Sequence, residues 1–252
     1  MDTNPNISQI YQQFISLKYI KNVVLCAYSI KTFDIIYEMS KVCENKISTG
    51  VHPISPLKAG GEEFELAIYL IEKGIQKDFG VAPMPVFGIT APCHWISAWA
   101  QSFAESIGTS IILENLGADN AYPYGTLYVA DMKTGNFIYG SPEAILITIF
   151  EKRINEAILG NLPRVAKSLN TSSKNPDIHA GLEKSIHTFV SLTSGYKKII
   201  YVSSPPTFNG KIHPLIVAVC DYLGIKNIFK VGGVCAISGF AFGTETIPKV
   251  DL

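Results

Sequence analysis

The chain has 252 residues, with 21 Lys+Arg against 21 Asp+Glu, 17% charged and 47% hydrophobic residues, and a mean hydropathy of +0.22. That balance excludes disorder, leaves no basic footprint for nucleic acid, and with no run of about 18 apolar residues gives no membrane span. A charged fraction below the ~25% of ordinary soluble domains fits buried parallel strands or the interface of a homo-oligomer.

In chain order, Val23–Ala27 is predicted as a short apolar strand, followed by an amphipathic helix over Thr32–Val42 with Phe33, Ile35, Ile36 and Met39 at helical spacing. Ile47–His52 is a second strand, then a Pro/Gly loop and a helix over Glu62–Lys73. Val81–Ile89 is a third extended segment, interrupted by Pro83 and Pro85, and feeds a helix over Trp95–Ser106. Ser110–Leu113 is a fourth strand, and Pro142–Ala157 is a helix with Ser141 as its N-cap. Val165–Leu169 is extended and Pro176–Leu192 helical; a strand over Lys198–Val202, a helix over Pro214–Leu223, a strand over Asn227–Val231 and a helix over Cys235–Phe242 complete the series. The apolar runs are continuous rather than alternating, which predicts parallel strands covered by helices on both faces, an α/β class. About seven βα units suit one barrel, or a barrel piece followed by an open doubly wound piece. There is no internal repeat, and Asn170–Asn175 is the most loop-like stretch.

The polar start Met1-Asp2-Thr3-Asn4-Pro5-Asn6 does not resemble a signal peptide. The cysteines, Cys26, Cys43, Cys93, Cys220 and Cys235, are odd in number and lack CxxC spacing, and they read as reduced thiols of a cytoplasmic protein.

Reactive groups of parallel α/β folds gather where strands end. Those positions here are His52, then Thr90, Pro92, Cys93 and His94, then Glu114 and Asn115, then Asp131, and finally Asn170 with Lys174 and Asp177. Any one of them is more often a structural hydrogen-bonder; the informative fact is that most strands end in a polar or prolyl cluster. Tyr122, Tyr124, Tyr128, Tyr139, Trp95 and Trp99 supply aromatic faces that suit either ordinary packing or a quaternary ammonium group. His179, Glu183 and His187 share one helix face, but with no further ligand cluster a solvated face is the preferred reading and no metal is assigned. Gly232-Gly233 after Phe229-Lys230-Val231 suits a close backbone approach to a ligand at a helix start.

From about Ile10 to Lys197 the chain resembles the trimethylamine methyltransferase family of corrinoid-dependent enzymes. The residues that carry this are Val51-His52-Pro53-Ile54-Ser55-Pro56-Leu57 with Gly60-Gly61-Glu62-Glu63, Pro83-Met84-Pro85-Val86-Phe87-Gly88-Ile89-Thr90-Ala91-Pro92, and Ala130-Asp131-Met132-Lys133-Thr134-Gly135. Tyr139-Gly140-Ser141-Pro142-Glu143, Lys167-Ser168-Leu169-Asn170-Thr171 and His179-Ala180 with Glu183-Lys184 continue it. The resemblance implies a partial TIM (β/α) barrel over residues 1–197, a small methylated amine as substrate and a corrinoid on a partner protein. It implies His52, Thr90, Glu114, Asp131 and Asn170 at the barrel mouth, with Tyr122 and Tyr139 facing the ammonium. No pyrrolysine is present, which directs the expectation away from trimethylamine and toward a quaternary amine such as glycine betaine, or another methylated compound.

From Gly195 to Leu252 the chain is instead similar to histidinol dehydrogenase. Ser204-Pro205-Pro206, Asn209-Gly210-Lys211-Ile212-His213-Pro214, Gly224-Ile225 and Phe242-Gly243-Thr244-Glu245-Thr246-Ile247-Pro248-Lys249-Val250-Asp251 carry this second likeness. It implies a short Rossmann-like βαβα fragment over 198–252, with NAD approached at Gly232, Gly233 and Cys235, where Cys235 stands in place of that family's glutamine. The family's zinc ligands and catalytic histidine and glutamate have no counterpart in the sequence, so turnover of histidinol is not expected. Two signatures meeting near Gly195 make a truncated or composite, non-catalytic chain a third expectation.

Overall fold

The structure is a computed structural model that describes residues 5–19, 25–160, 165–166, 171–173, 177–194, 198–199, 201–202, 218, 222 and 230–231. The expected strand residues Val23 and Val24 lie outside these, as do the helix over 235–242 and, apart from Ala218 and Tyr222, the helix over 214–223. The chain divides into two compact units between Tyr128 and Val129.

In the first unit, helix α1 (Pro5–Tyr19) packs on α2 (Ile30–Val42), and α2 packs on α3 (Glu62–Glu72). The amphipathic period holds for α2, which buries Phe33 and Ile36, and for α3, which buries Leu66, Ala67, Leu70 and Ile71. Three carboxylates in the first turn of α3, Glu62, Glu63 and Glu65, favour that end through the helix dipole. Helix α1 is not among the predicted elements; only its first two residues fall in the polar start Met1–Asn6.

Parallel pairing runs in chain order. Leu25 pairs with Ile47, Val51 with Val81, strand β1 (Asp78–Val81) with β2 (Asn120–Pro123), and Val86 with Tyr128, every pair parallel. These contacts are one two-stranded parallel sheet, β1–β2, with single parallel bridges beside it, each between segments that follow one another along the chain. Barrel closure is not seen among the described residues. Burial alternates rather than running continuously: Phe79 and Val81 are buried while Asp78 is exposed, and Ala121 is buried between exposed Asn120 and Tyr122. The core joins Leu25, Phe33, Ile36, Val51, Leu66, Leu70, Phe79, Val81 and Leu113.

The main correction concerns α4, one 21-residue helix over Trp95–Asn115. The predicted strand Ser110–Leu113 is its last part. Buried Ala98, Ser102, Ser106, Thr109 and Leu113 recur every three or four residues, with buried Glu105 on the same stripe, and this helical period overrides the β-preference of Ile111 and Ile112. Its buried face carries hydroxyls that take up strand-end hydrogen bonds. Ser102 Oγ donates to Thr126 O (2.6 Å) and accepts from Thr126 N–H (2.9 Å). Ser106 Oγ donates to Val81 O (2.7 Å) and accepts from Tyr124 N–H (2.8 Å). Thr126 Oγ1 donates in turn to Pro83 O.

The second unit begins with a tight turn in which Ala130 bridges Phe137 in antiparallel fashion. Helix α5 (Pro142–Leu159) starts at the predicted cap: Ser141 Oγ accepts from Ala144 N–H at 3.2 Å, Pro142 opens the helix, and Gly160 closes it at φ 63°. Helix α6 (Ile178–Thr193) is capped by Asp177, whose carboxylate accepts from Ala180 N–H at 2.9 Å, and packs on α5. Strand β3 (Val165–Ala166) pairs parallel with β4 (Lys198–Ile199), and β5 (Tyr201–Val202) with β6 (Lys230–Val231). No helix among the described residues is long and apolar enough to cross a membrane.

Candidate functional site

His52 follows Val51 at the end of its strand and is fixed by an acid from the next helix. Glu63 Oε2 accepts the His52 backbone N–H at 3.0 Å and lies 2.6 Å from Nδ1. With Nδ1–H donating, the ring is held in one orientation, Nε2 being the other edge. The chain then folds back on itself. Ile54 and Lys58 exchange both backbone hydrogen bonds, at 2.8 and 2.9 Å, around a cis Ser55–Pro56 bond and Leu57 at φ 51°.

This bend is held from α4. Glu105, 4% exposed, accepts from Ser55 Oγ (2.7 Å), Leu57 N–H (3.0 Å) and Gln101 Nε2 (2.9 Å). A carboxylate so far from water is tolerated when donors fill its lone pairs, as here. Gln101 Nε2 also donates to Thr90 O at 2.7 Å. Thr90 itself closes the turn after the third strand, its Oγ1 accepting from Val86 N–H at 2.9 Å. The loops bearing His52 and Thr90 are therefore joined through two side chains one helical turn apart.

Glu114 is not brought to this place. It sits exposed in the last turn of α4, where Oε1 accepts from Ala121 N–H at 3.2 Å near the start of β2. Because residues 110–113 continue the helix, Glu114 lies at the strands' N-terminal end, away from His52. Tyr122 is half exposed on β2.

In the second unit Asp131 is a turn former. Its carboxylate accepts from Lys133 N–H (2.9 Å) and Thr134 Oγ1 (3.0 Å). These bonds, the Lys133 one foremost, hold its carboxyl below the usual carboxylate range. Tyr139 stacks on Phe137 with centroids 6.0 Å apart, and its backbone exchanges bonds with Ser172 Oγ at 3.1 and 3.2 Å. Glu183 secures the neighbouring loop, accepting from Thr171 Oγ1 and from Ser172 N–H at 2.8 Å, with His179 Nε2 3.3 Å away. His187 faces α5, its Nε2 2.9 Å from Thr148 Oγ1. Among the described residues no group of three or more His, Cys, Asp or Glu could hold a metal ion. Asn170, Lys174, Gly232, Gly233 and Cys235 lie outside the described residues.

Sequence reasoning missed Glu63 as the partner of His52, and Gln101 and Glu105 altogether. One signal was available: Glu105 falls on the apolar and hydroxyl stripe of α4, where a charge has to be paired.

Comparison with known proteins gives two matches on the one chain. The family model described as trimethylamine methyltransferase matches residues 34–203, and that described as histidinol dehydrogenase matches residues 188–252. Over its terminal segment the chain is similar to histidinol dehydrogenases. It is 55% identical over 53 residues to that of Methanocaldococcus jannaschii, covering 21% of this chain and 12% of that protein. It is 51% identical over 57 residues to that of Bacteroides fragilis (23% and 13%), and 44% identical over 61 residues to that of Lactococcus lactis (24% and 14%). The chain thus spans only 12% to 14% of the length of these curated relatives. The first family model, by contrast, covers more than half of the sequence. By that match the chain belongs to the trimethylamine methyltransferase family.

Proposed function

We propose that this chain binds a small methylated amine, a quaternary compound such as glycine betaine rather than trimethylamine, and presents a methyl carbon to a corrinoid carried by a partner protein. The match to the methyltransferase family over residues 34–203 carries this reading. The reduced cobalt of the corrinoid is the acceptor substrate. A quaternary amine leaves as a neutral tertiary amine once its methyl is taken, so no proton has to be supplied. The demand on the protein is orientation of a cation and exclusion of competing geometries. His52, oriented by Glu63, and Thr90, tied to the same brace, are the proposed lining of that site in the first unit.

The parallel strand order of the first unit supports a partial (β/α) barrel, proposed for residues 1–197 and followed by a Rossmann-like fragment over 198–252. For this last segment the identity to histidinol dehydrogenases supports common descent and NAD contact at Gly232, Gly233 and Cys235. That reading requires zinc, for which the described residues offer no ligand cluster. A composite chain of two origins accommodates both matches, which overlap over residues 188–203. A cytoplasmic location and a homo-oligomer complete the proposal.

Binding of glycine betaine, tetramethylammonium and trimethylamine, measured by calorimetry on the full chain, tests it. The quaternary compounds are expected to bind, and His52→Ala to weaken glycine betaine, whose carboxylate can take a hydrogen bond, by about tenfold, the worth of one good polar contact. Absence of binding by all three compounds overturns the reading.

A further inference from the structure

The brace on α4 joins loops that the sequence holds far apart. Ser55 and Leu57 lie 50 and 48 residues from Glu105, and Thr90 lies 11 from Gln101. We infer that Glu105, with Gln101, is a positioning residue: it sets the bend of loop 52–58 and its distance from the turn at Thr90. This rests on the methylated-amine site proposed above and assigns the residues that shape it.

Three observations support the assignment. Two of the three donors to the buried Glu105 carboxylate come from the loop, so its hydrogen-bonding capacity is spent mainly on loop shape rather than on its own helix. Leu57 occupies the left-handed region at φ 51°, where a residue with a Cβ is strained, yet its side chain is 68% exposed. The conformation is therefore secured by the Ile54–Lys58 backbone pair and the Leu57 N–H that Glu105 accepts, not through burial of the leucine. The loop is also held at both ends by acids from different helices, Glu63 at His52 and Glu105 at Ser55 and Leu57. A loop needed only as a connection has no use for two such anchors.

Glu105→Met tests this, because a thioether of similar length keeps the space filled but cannot replace the carboxylate oxygens that accept from Leu57 N–H, Gln101 Nε2 and Ser55 Oγ. The probes are glycine betaine and tetramethylammonium, with hydrogen exchange at the Leu57 amide and thermal melting measured in parallel. The expected result is faster exchange at Leu57 by about tenfold. If the bent loop then persists in about one molecule in ten, apparent affinity falls by about tenfold as well. Adding Leu57→Gly should restore much of that affinity, since glycine takes the left-handed φ without help. Faster exchange with unchanged affinity overturns the positioning role. So does an affinity loss that Leu57→Gly leaves uncorrected, which marks Glu105 as merely structural. A wild-type chain that binds neither probe overturns the proposed function itself, and the positioning role with it.

Discussion

Gly125→Ala offers the most direct check on the packing beneath the candidate loops. Gly125 does not have a left-handed φ, so alanine meets no backbone penalty there. The obstacle is steric: a Cβ would stand 2.5 Å from Trp99 Nε1, 2.9 Å from Cε2 and 3.2 Å from Cδ1. The indole is rigid, 4% exposed and stacked at 4.7 Å on Phe103, so it has to move as a body against a filled neighbour. Such overpacking costs about 1–3 kcal/mol, offset by up to about 1 kcal/mol from the stiffer unfolded chain. A net loss of about 1–2 kcal/mol corresponds to a fall in Tm of about 2–8 °C for a protein of this size. Circular dichroism melts, read with tryptophan emission, follow it. In a Trp99→Leu background Nε1 and Cε2 are gone, and the same substitution should become neutral or slightly stabilising. Trp99→Leu itself also removes an indole N–H that is buried without an acceptor among the described residues. An equal penalty in both backgrounds, or none in either, would falsify the steric argument.

Ser141→Ala removes the cap of α5 and should cost about 1 kcal/mol, seen as a Tm lower by about 2–4 °C, with Ser141→Asn close to wild type. The Ala180 N–H and then the Ser173 hydroxyl hold the Asp177 carboxyl below its ordinary range. A depressed folded pKa gives stability that is complete above the ordinary value of 3.8 and is lost as pH falls through the folded one. The Tm deficit of Asp177→Asn should therefore be largest near neutrality and shrink below about pH 4; a pH-independent deficit contradicts the carboxylate's role. Burial holds the Lys184 amine below the usual lysine value of 10.5, opposed by attraction to Glu183. The unfolded chain then binds that proton more tightly, so Lys184→Met should raise Tm at pH 7, with the gain fading as pH climbs toward 10.5. A lower Tm at pH 7 would show that attraction to Glu183 outweighs desolvation.

What could be read from the sequence follows the range of the interactions. Helices α2, α3, α5 and α6 announce themselves through periodicity, and the α5 cap through Ser141-Pro142, because both signals are local. The end of α4 does not, since Ser110–Leu113 has strand-like composition and only the wider stripe from Ala98 to Leu113 reveals the helix. Glu114 inherits that misreading. The positions of His52 and Thr90 at strand ends were accessible, whereas Gln101 and Glu105 as their support were not, because their loop partners are fixed by topology. Asp131, expected at the barrel mouth, instead holds a turn with Lys133, Thr134 and Gly135, a local pattern of Asp, hydroxyl and glycine that sequence reasoning did not single out.

Ser102 and Ser106 act as two locating pins between α4 and the sheet, each donating to one strand end and accepting from the same or the neighbouring one. One residue inserted between Trp99 and Ser106 turns everything beyond it by about 100° and swings at least the second pin away from its socket. An insertion in the loop before Trp95 leaves both pins in register. Length variation among natural relatives of this unit should therefore collect ahead of the helix and be purged from its first three turns.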